Sequence, residues 1–361
     1  MKKLLSIALV LSFLLSLVGC NKADNTSSTS SVPKEIVSEI EAEASDFALN
    51  PLTGVEDLEK DAEKLRPVAI MINNISTAWG VQSGLSRADV IYEAYVEGGI
   101  TRLLAVYKDV RKVEKLGSLR SARYSFVDLA AGHGAQFVHA GKDEVYCTPH
   151  LAEIGVKSAD LNSGSTSDTS IGIGSVAYRE SNGLATEHTL FTTGKKLYKG
   201  LKNKGLTKLD SAQKEWMNFL DADSKYVPEG GECKELYVPF AGSYGVNFKF
   251  NKDTGLYDKY RGETVQKDAG NDKSVSVGNV LVLYSDTSAF ADGYHVKTDL
   301  SSGEGYYVSN GGYQEIKWSK GGAKESFVIT DKDGKEIDYN PGSTYVCLTR
   351  TSNKNGTSFS K

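Results

Sequence analysis

A pair of glycines between two runs of β-forming residues constrains this chain more than any other feature. The run Tyr92–Val96 precedes Gly98-Gly99, and the run Ile100–Tyr107 follows it. Glycine accepts positive φ at no steric cost, so two adjacent glycines between such runs predict a two-residue β-hairpin turn. We therefore expect two antiparallel strands at the centre of the fold, with the turn fixing which residues face each other.

The position of the turn predicts the register of this hairpin and the composition of its two faces. A turn centred on the glycines places Tyr95 opposite Arg102 and Glu93 opposite Leu104. Because side chains alternate along a strand, one face is predicted to be polar and to carry Glu93, Tyr95, Glu97 and Arg102. The other face is predicted to be core, with Val90, Tyr92, Ala94, Val96, Leu103, Ala105 and Tyr107. The polar face is the candidate site.

A second basic motif, Gly117-Ser118-Leu119-Arg120-Ser121-Ala122-Arg123, follows the hairpin closely. Its hydroxyl, backbone N–H and guanidinium donors, next to a predicted helix start, suit a phosphate, carboxylate or sulfate. The alternative is that one arginine pairs with a glutamate and the other is solvated. Since short connections usually leave sequential elements adjacent, we expect Arg120 or Arg123 to lie within about 4 Å of a Glu93 or Glu97 oxygen.

Four ungapped motifs occur in a fixed order along the chain. They are Ser83-Gly84-Leu85-Ser86-Arg87-Ala88-Asp89, the hairpin run, the Gly117–Arg123 motif and His139-Ala140-Gly141. In this order they resemble the YerB-like family of bacterial lipoproteins, a domain of unknown function, strongly over residues 66–193 and more loosely over residues 235–348. The chain departs from the family at Trp79-Gly80-Val81 and at the segment containing Arg179 and His188. The resemblance implies an architecture rather than a chemistry.

The N-terminus has the pattern of a lipoprotein signal peptide. Lys2 and Lys3 precede the apolar run Leu4–Val18, which is shorter than the ~20 residues of a membrane-spanning helix. The run ends in Leu17-Val18-Gly19-Cys20, a lipobox, although an ordinary signal peptide with an incidental cysteine is the alternative. We predict a signal peptide over residues 1–19 and fatty acylation (palmitate) of Cys20. The lipid would anchor the mature protein to the extracytoplasmic face of the cell membrane.

Acidic residues are concentrated in the segment after Cys20. From Lys34 to Lys64 the sequence has ten Asp and Glu residues and three lysines, a local charge of −7 (3 − 10). Such a segment predicts a flexible acidic stalk over residues 20–64. The rest of the chain is near neutral, so no basic surplus suggests nucleic acid as a partner.

The remaining chain predicts an α+β protein with two domains. Over residues 65–222, helices near Ser121–Ala131 and Gly194–Lys204 accompany the hairpin, so we expect a mixed α/β-type domain with a central β-hairpin sheet. Over residues 233–350, short β runs separated by turn residues predict a mostly antiparallel β domain, followed by a polar tail over residues 351–361. We expect the second domain to support the first, which carries the site.

The cysteines and glycines give no motif for a metal or a cofactor. Apart from Cys20, the chain has Cys147, Cys233 and Cys347 without Cys-x-x-Cys spacing, so isolated structural cysteines are favoured over a disulfide. No spaced ligand cluster predicts a metal, and Gly172-Ile173-Gly174 lacks the helix pattern of a dinucleotide site. We therefore expect neither a metal nor a cofactor.

Four residues are weak candidates for catalysis: Glu93, Glu97, His139 and His188. On one strand the two glutamates would be ~13 Å apart, whereas glycosidases place their carboxyl groups roughly 5 to 9.5 Å apart, so they do not fit a same-strand dyad. Either glutamate could act with His139 or His188, although a lone histidine is more often a hydrogen-bonded structural residue. The simpler alternative is an ion-pair lattice of Arg102 with the glutamates.

The sequence leaves two functions open. The favoured one is a non-catalytic module that binds a wall component or a peptidoglycan-synthesis partner through Glu93, Glu97, Arg102, Arg120 and Arg123. The other is a hydrolase or transferase acting on wall or sugar polymers, using a candidate glutamate with His139 or His188. Binding is favoured over an enzyme because no nucleophile–base or metal spacing is recognised.

Overall fold

A computed structural model of the protein describes residues 46–162, 169–209 and 216–361. The predicted signal peptide, Cys20 and the stalk up to residue 45 lie outside the described residues. All described residues belong to one compact unit. Within them, no helix combines the length and the apolar character needed to cross a membrane.

Strands dominate the first half of the described chain and are joined by α-helices. The strands are β1 (Phe47–Asn50), β2 (Val55–Glu59), β3 (Val68–Asn73), β4 (Val90–Tyr95), β5 (Thr101–Tyr107), β6 (Leu116–Gly117), β7 (Gln136–His139), β8 (Ser158–Asp160), β9 (Ser170–Gly172), β10 (Tyr178–Arg179) and β11 (Leu190–Thr192). The helices are α1 (Tyr124–Gly132), α2 (Cys147–Glu153) and α3 (Gly194–Asn203).

The second half consists of further strands, as its frequent turn residues predict. They are β12 (Asn218–Phe219), β13 (Gly231–Glu232), β14 (Glu235–Pro239), β15 (Gly245–Asn251), β16 (Leu256–Arg261), β17 (Thr264–Val265), β18 (Ser276–Val277), β19 (Asn279–Tyr284), β20 (Thr287–Ala289), β21 (Val296–Thr298), β22 (Ser302–Ser309), β23 (Gly312–Lys320), β24 (Phe327–Thr330), β25 (Asp338–Tyr339), β26 (Thr344–Thr349) and β27 (Ser358–Ser360).

One large sheet, the central sheet, runs through both halves of the chain. Its strand order is β13-β23-β22-β19-β26-β4-β5-β3-β7-β8-β9, with β24 beside β23. Strand β26, from near the C-terminus, lies parallel to β4 and joins the later strands directly to the hairpin. Strands β3, β7, β8 and β9 are parallel and form the opposite end. The α+β class is confirmed. Strands from both sides of the predicted domain border, between residues 222 and 233, belong to this one sheet.

The central sheet is buried on both faces. On one face Tyr95 shares a core cluster with Phe248 of a second, antiparallel sheet, whose order is β17-β16-β15-β14-β27 with β18 beside β16. On the other face Tyr92 shares a cluster with Phe126 of α1. Two covering layers explain why strands such as β3 read as continuous apolar runs, with all six residues buried.

The hairpin of β4 and β5 is present, but its register differs by one residue from the predicted one. Tyr95 pairs with Thr101 and not with Arg102. The reason is that the connection extends from Val96 to Ile100, where the Val96 N–H donates to the Ile100 carbonyl over 2.9 Å. The glycines adopt positive φ, as expected, but within this longer turn.

The shifted register changes which side chains share a face, because a slip of one residue exchanges the two faces of a strand. Arg102 pairs with Ala94, which packs on the α1 side, whereas Glu93 pairs with Leu103, which packs towards the second sheet. Every residue of β4 and β5 is buried. The prediction of one open polar face carrying Glu93 and Arg102 together is therefore wrong.

Part of the predicted stalk is folded. Residues 46–64 form the hairpin of β1 and β2, followed by a 3-10 helix, Lys60–Lys64. Leu52 in this hairpin is buried, and Arg111 binds Asp61 over 2.6 Å. The prediction of flexibility is therefore wrong over residues 46–64. Local composition could not show their order, because the residues that hold them, such as Arg111, lie far away in the sequence.

The predicted polar tail, residues 351–361, is folded as well. It adds β27 to the edge of the second sheet by pairing with β14. Asn353 donates from Nδ2 to the Phe240 carbonyl over 2.7 Å and to the Tyr95 hydroxyl over 2.9 Å. The C-terminus therefore ties the second sheet to the hairpin.

Candidate functional site

The carboxyl ends of several parallel strands meet at one edge of the central sheet, a common place for ligands to bind. Strands β3, β7 and β8 end there, at Asn73, His139 and Asp160. The Gly117–Arg123 motif crosses this edge, and the Arg120 carbonyl accepts a hydrogen bond from the Ala140 N–H over 3.0 Å. Backbone pairing thus fixes the basic motif against the ends of the strands.

Three arginines converge beside this edge and form what we call the arginine cluster: Arg102, Arg120 and Arg123. Arg102, on β5, is 5% exposed and donates from Nη1 to the Ser121 carbonyl over 2.5 Å. Burial, followed by the positive charges of Arg123 and Arg120, lowers the pKa of Arg102 to about 9. The three guanidinium groups are therefore close enough to repel one another.

Glu97 is the carboxylate that contacts this cluster directly. Arg123 donates from Nε to Glu97 Oε1 over 2.6 Å, which confirms the expected arginine–glutamate pair. Arg120 donates from Nη1 to the Glu187 carbonyl over 3.2 Å, and its buried Nε has no partner in the described part of the chain. Three positive charges with one directly paired carboxylate favour the binding of an anion.

Aromatic side chains form a shelf next to the arginine cluster. This aromatic shelf consists of Tyr124, Tyr146, Phe290 and Tyr294. Tyr146 stacks on Phe290 with 3.9 Å between ring centroids, and Tyr124, which follows Arg123 in the chain, packs edge-on against Phe290 at 5.1 Å. Tyr294 is 61% exposed and is near enough to Arg102 to affect its pKa. The shelf adds apolar contact area beside the charged donors.

Glu93 lies elsewhere, fully buried between the central sheet and the second sheet. Its carboxyl oxygens accept hydrogen bonds from Thr101 (2.7 Å), Asn74 (2.8 Å), Tyr244 (2.5 Å) and Tyr345 (2.5 Å). Tyr244 and Tyr345 come from the segment expected only to support the site. Glu93 therefore joins the two halves of the chain and is not part of the arginine cluster.

Two cations that sequence reasoning missed accompany Glu93, namely the fully buried Lys259 and the half-buried Arg261. Lys259 donates from Nζ to Gln266 Oε1 over 2.9 Å, and burial lowers its pKa to about 8 against the attraction of Glu93. Arg261 lies 4.6 Å from the centroid of the Trp79 ring, and burial lowers its pKa. The sequence did contain a signal for the burial of Lys259. Alternate residues of a strand face the same side, and Lys259 follows the buried Tyr257 of β16 by two residues.

The two candidate histidines have separate partners and do not meet the glutamates. His139 is fully buried, with Nε2 at 2.8 Å from Ser158 Oγ, and burial lowers its pKa to about 4. His188 Nδ1 lies 2.8 Å from Asn73 Nδ2. The structure brings Glu97 together with Arg102, Arg120 and Arg123, and it places Glu93, His139 and His188 in other hydrogen-bond networks.

The cysteines have structural surroundings. Cys147, Cys233 and Cys347 are unbridged and buried, in agreement with the expected isolated cysteines. Burial raises the pKa of each thiol, which makes each a poor nucleophile. In residues 46–162, 169–209 and 216–361, no group of three His, Cys, Asp or Glu side chains has the spacing of a metal site.

Comparison with known proteins finds similarity over both halves of the chain. The N-terminal domain of the protein of unknown function DUF3048 matches residues 52–207, and its C-terminal domain matches residues 236–346. The chain is 28% identical over 297 residues to the putative lipoprotein YerB of Bacillus subtilis (strain 168). The aligned region covers 82% of this chain and 84% of that relative. The crystal structure of YerB protein from Bacillus subtilis has a TM-score of 0.69 at 25% identity, covering 87% of this chain and all of that one.

Proposed function

This chain belongs to the DUF3048 family and is similar to a putative lipoprotein, and on that premise we propose that it is a lipid-anchored extracytoplasmic protein that binds an anionic wall polymer. The anchor would be a lipid on Cys20, at the end of the lipobox. The binding site would be the arginine cluster with the adjacent aromatic shelf. The convergence of three arginines with one directly paired carboxylate carries this proposal.

The arginines are held by rigid elements, so they are preorganised for a ligand. Arg102 is fixed on β5 and by the Ser121 carbonyl, while backbone hydrogen bonds hold the segment of Arg120 and Arg123 against β3 and β7. A site whose donors are already ordered loses little conformational entropy on binding. Burial, followed by repulsion from Arg123 and Arg120, lowers the pKa of Arg102, and an anion between the guanidinium groups would relieve that repulsion.

The aromatic shelf supports a sugar polymer as the ligand rather than a small inorganic anion. Tyr294 offers an exposed ring beside Arg102, and the stacked pair of Tyr146 and Phe290 extends the apolar surface. A polymer with phosphate or carboxylate groups on sugar units would use both parts, the charges on the arginines and the ring faces on the shelf.

The same geometry disfavours a hydrolase or transferase. Glu93 is enclosed by four hydrogen-bond donors, and His139 is fully buried beside Ser158. Glu97 is held by Arg123, an arrangement that suits an orienting group better than a general acid.

The test compares binding of the mature chain and its Arg120→Ala/Arg123→Ala variant to a purified anionic wall polymer. We expect the affinity of the variant to fall about tenfold or more, because charge-assisted hydrogen bonds are lost. The matched control is Lys332→Ala/Lys335→Ala, which removes the same charge from exposed turn positions. An unchanged affinity of the arginine variant, or an equal fall in the control, would contradict the proposal.

A further inference from the structure

A second basic surface lies on α3 and the turn that follows it. Six exposed lysines, which we call the lysine face, occur within fourteen residues: Lys195, Lys196, Lys199, Lys202, Lys204 and Lys208. The sequence from Phe191 to Leu209 contains no Asp or Glu. Within the described part of the chain, none of the six lysines has an ion-pair partner. The lysine face is therefore a local concentration of positive charge in a chain whose overall charge is −4.

An open depression of about 420 Å³ lies beside the lysine face. Its polar lining includes Lys196, Lys199, Lys204, Ser175 and Asn203. The depression is backed by close packing, since a Cβ at Gly200 would come within 2.7 Å of Val176 Cγ1. Its volume falls in the range of small-molecule sites, and ammonium, hydroxyl and amide donors together suit a phosphate group.

The lysine face is joined by backbone pairing to the segment through which the N-terminal part of the chain enters the fold. The hairpin of β1 and β2, which we call the entry hairpin, is followed by the 3-10 helix Lys60–Lys64. Leu65, the next residue, forms an antiparallel bridge with Lys208. The Arg66 N–H donates to the Thr207 carbonyl over 2.9 Å. The stretch that follows α3 is therefore bonded to the stretch that follows the entry hairpin.

A side-chain contact links the entry hairpin to α3 as well. The Arg111 guanidinium binds Glu59 at the end of β2 over 3.5 Å and Asp61 of the following 3-10 helix over 2.6 Å. It also lies 5.6 Å from the centroid of the Tyr198 ring of α3. Arg111 also binds Asp109, so a single guanidinium is shared by three carboxylates near α3 and balances only one of their charges. Within the described residues, none of these carboxylates forms an ion pair with a lysine of the lysine face.

The length of chain between the predicted lipid and the entry hairpin allows this side of the protein to reach a bilayer. Residues 21–45, which number 25, separate Cys20 from Asp46. By covalent geometry, 25 residues can span at most roughly 80–90 Å. A lipid on Cys20 would therefore leave the segment around Leu65, and the lysine face that is bonded to it, within reach of a bilayer.

We propose that the lysine face docks on the membrane, with the depression beside α3 taking the phosphate of an anionic phospholipid headgroup. This inference goes beyond the wall-polymer site and takes from the proposed function only the anchor at Cys20. Lysines near an anionic surface each strengthen membrane binding about fivefold. A basic patch and a lipid anchor together hold a protein far more stably than one weak anchor does. In this orientation the folded unit would contact the bilayer through the side that carries α3 and the segment around Leu65.

The experiment measures sedimentation of the mature chain with vesicles, using a Cys20→Ala background so that acylation does not contribute. Vesicles contain phosphatidylglycerol mixed with phosphatidylcholine, or phosphatidylcholine alone. We expect binding to the anionic vesicles that weakens with salt. The Lys196→Gln/Lys199→Gln/Lys204→Gln variant should lose about a hundredfold in partitioning, by the fivefold contribution of each lysine.

Two control variants distinguish docking by the lysine face from a general effect of charge and from binding at the arginine cluster. Lys252→Gln/Lys332→Gln/Lys335→Gln removes the same charge from exposed positions outside the lysine face and should bind vesicles like the parent. Arg120→Ala/Arg123→Ala should also bind vesicles normally, so failure of the wall-polymer proposal leaves this result intact. Equal binding to both kinds of vesicle, or equal loss in the lysine control, would overturn the inference. So would a lysine-face effect that occurs with a soluble wall polyanion and not with vesicles.

Discussion

At the scale of single residues, Glu93 and Glu97 show how the surroundings decide the role of a carboxylate. Glu93 accepts hydrogen bonds from Asn74, Thr101 and two tyrosines, and it opposes the lowering of the Lys259 pKa. Glu97, four residues later, accepts from Arg123 at the edge of the arginine cluster. Glu93 therefore holds the two halves of the chain together in the interior, whereas Glu97 is part of a candidate binding site.

Glu93→Gln should lower the free energy of unfolding by about 3 kcal/mol, because it leaves the buried Lys259 charge and the half-buried Arg261 charge without their counter-charge. Urea unfolding at neutral pH measures the change. The same exchange at Glu97 should cost only about 1 kcal/mol, since that pair lies closer to the surface.

A double-mutant cycle tests the cause of the Glu93 effect. Adding Lys259→Met to Glu93→Gln removes the buried ammonium as well, so the double variant should recover at least about 1 kcal/mol relative to the sum of the single changes. Strict additivity would show that Lys259 and Glu93 do not act on each other, and that the loss arises from the hydrogen bonds of Glu93 and from Arg261.

At the scale of elements, α3 packs so closely on the turn Val110–Lys112 that its first residue must lack a side chain. A Cβ at Gly194 would lie 1.8 Å from the Val110 carbonyl oxygen, a backbone atom that cannot rotate away. This close approach places Tyr198 beside Arg111 and thereby orients the lysine face.

Gly194→Ala should therefore destabilise the protein by about 3 kcal/mol through overpacking. Thermal and urea unfolding give the measurement, and loss of vesicle binding should accompany any displacement of α3. Gly80→Ala is the matched control, because its Cβ would meet no atom within 4 Å, and it should change stability by less than about 0.5 kcal/mol. A fully stable Gly194→Ala protein would show that the helix can move away from Val110.

At the scale of the whole molecule, attachment and binding are assigned to different parts of the chain. The proposed lipid belongs to Cys20, the lysine face is bonded to the entry segment, and the arginine cluster lies at the carboxyl ends of β3, β7 and β8. A protein arranged in this way could hold the membrane and a wall polymer at the same time.

Cys20→Ala should release most of the protein from the membrane fraction of cells, because a lysine face without a lipid binds reversibly and weakens with salt. Fractionation in low and raised salt, followed by immunodetection, gives the result. The control Cys147→Ala removes a buried thiol and should leave the protein in the membrane fraction. Complete membrane retention of Cys20→Ala in raised salt would contradict lipid anchoring at this residue.

Local patterns in the sequence were sufficient for several parts of this protein. The α+β class, the hairpin β4–β5 and α3 follow from periodicity and turn residues, because those signals act between neighbours in the chain. The pairing of Arg123 with Glu97 could also be predicted, since a short connection keeps consecutive elements adjacent.

Only the tertiary structure decided the rest. The exact turn between Val96 and Ile100 set the register and separated Arg102 from Glu93, because a slip of one residue exchanges the faces of a strand. Strand β26, which lies far from β4 in the sequence, pairs with β4 and thereby brings Tyr345 to Glu93. The C-terminal tail has a polar composition, yet it folds because β27 pairs with β14. The sequence by itself determined which elements form; contacts between distant residues determined which faces are buried and which charges meet.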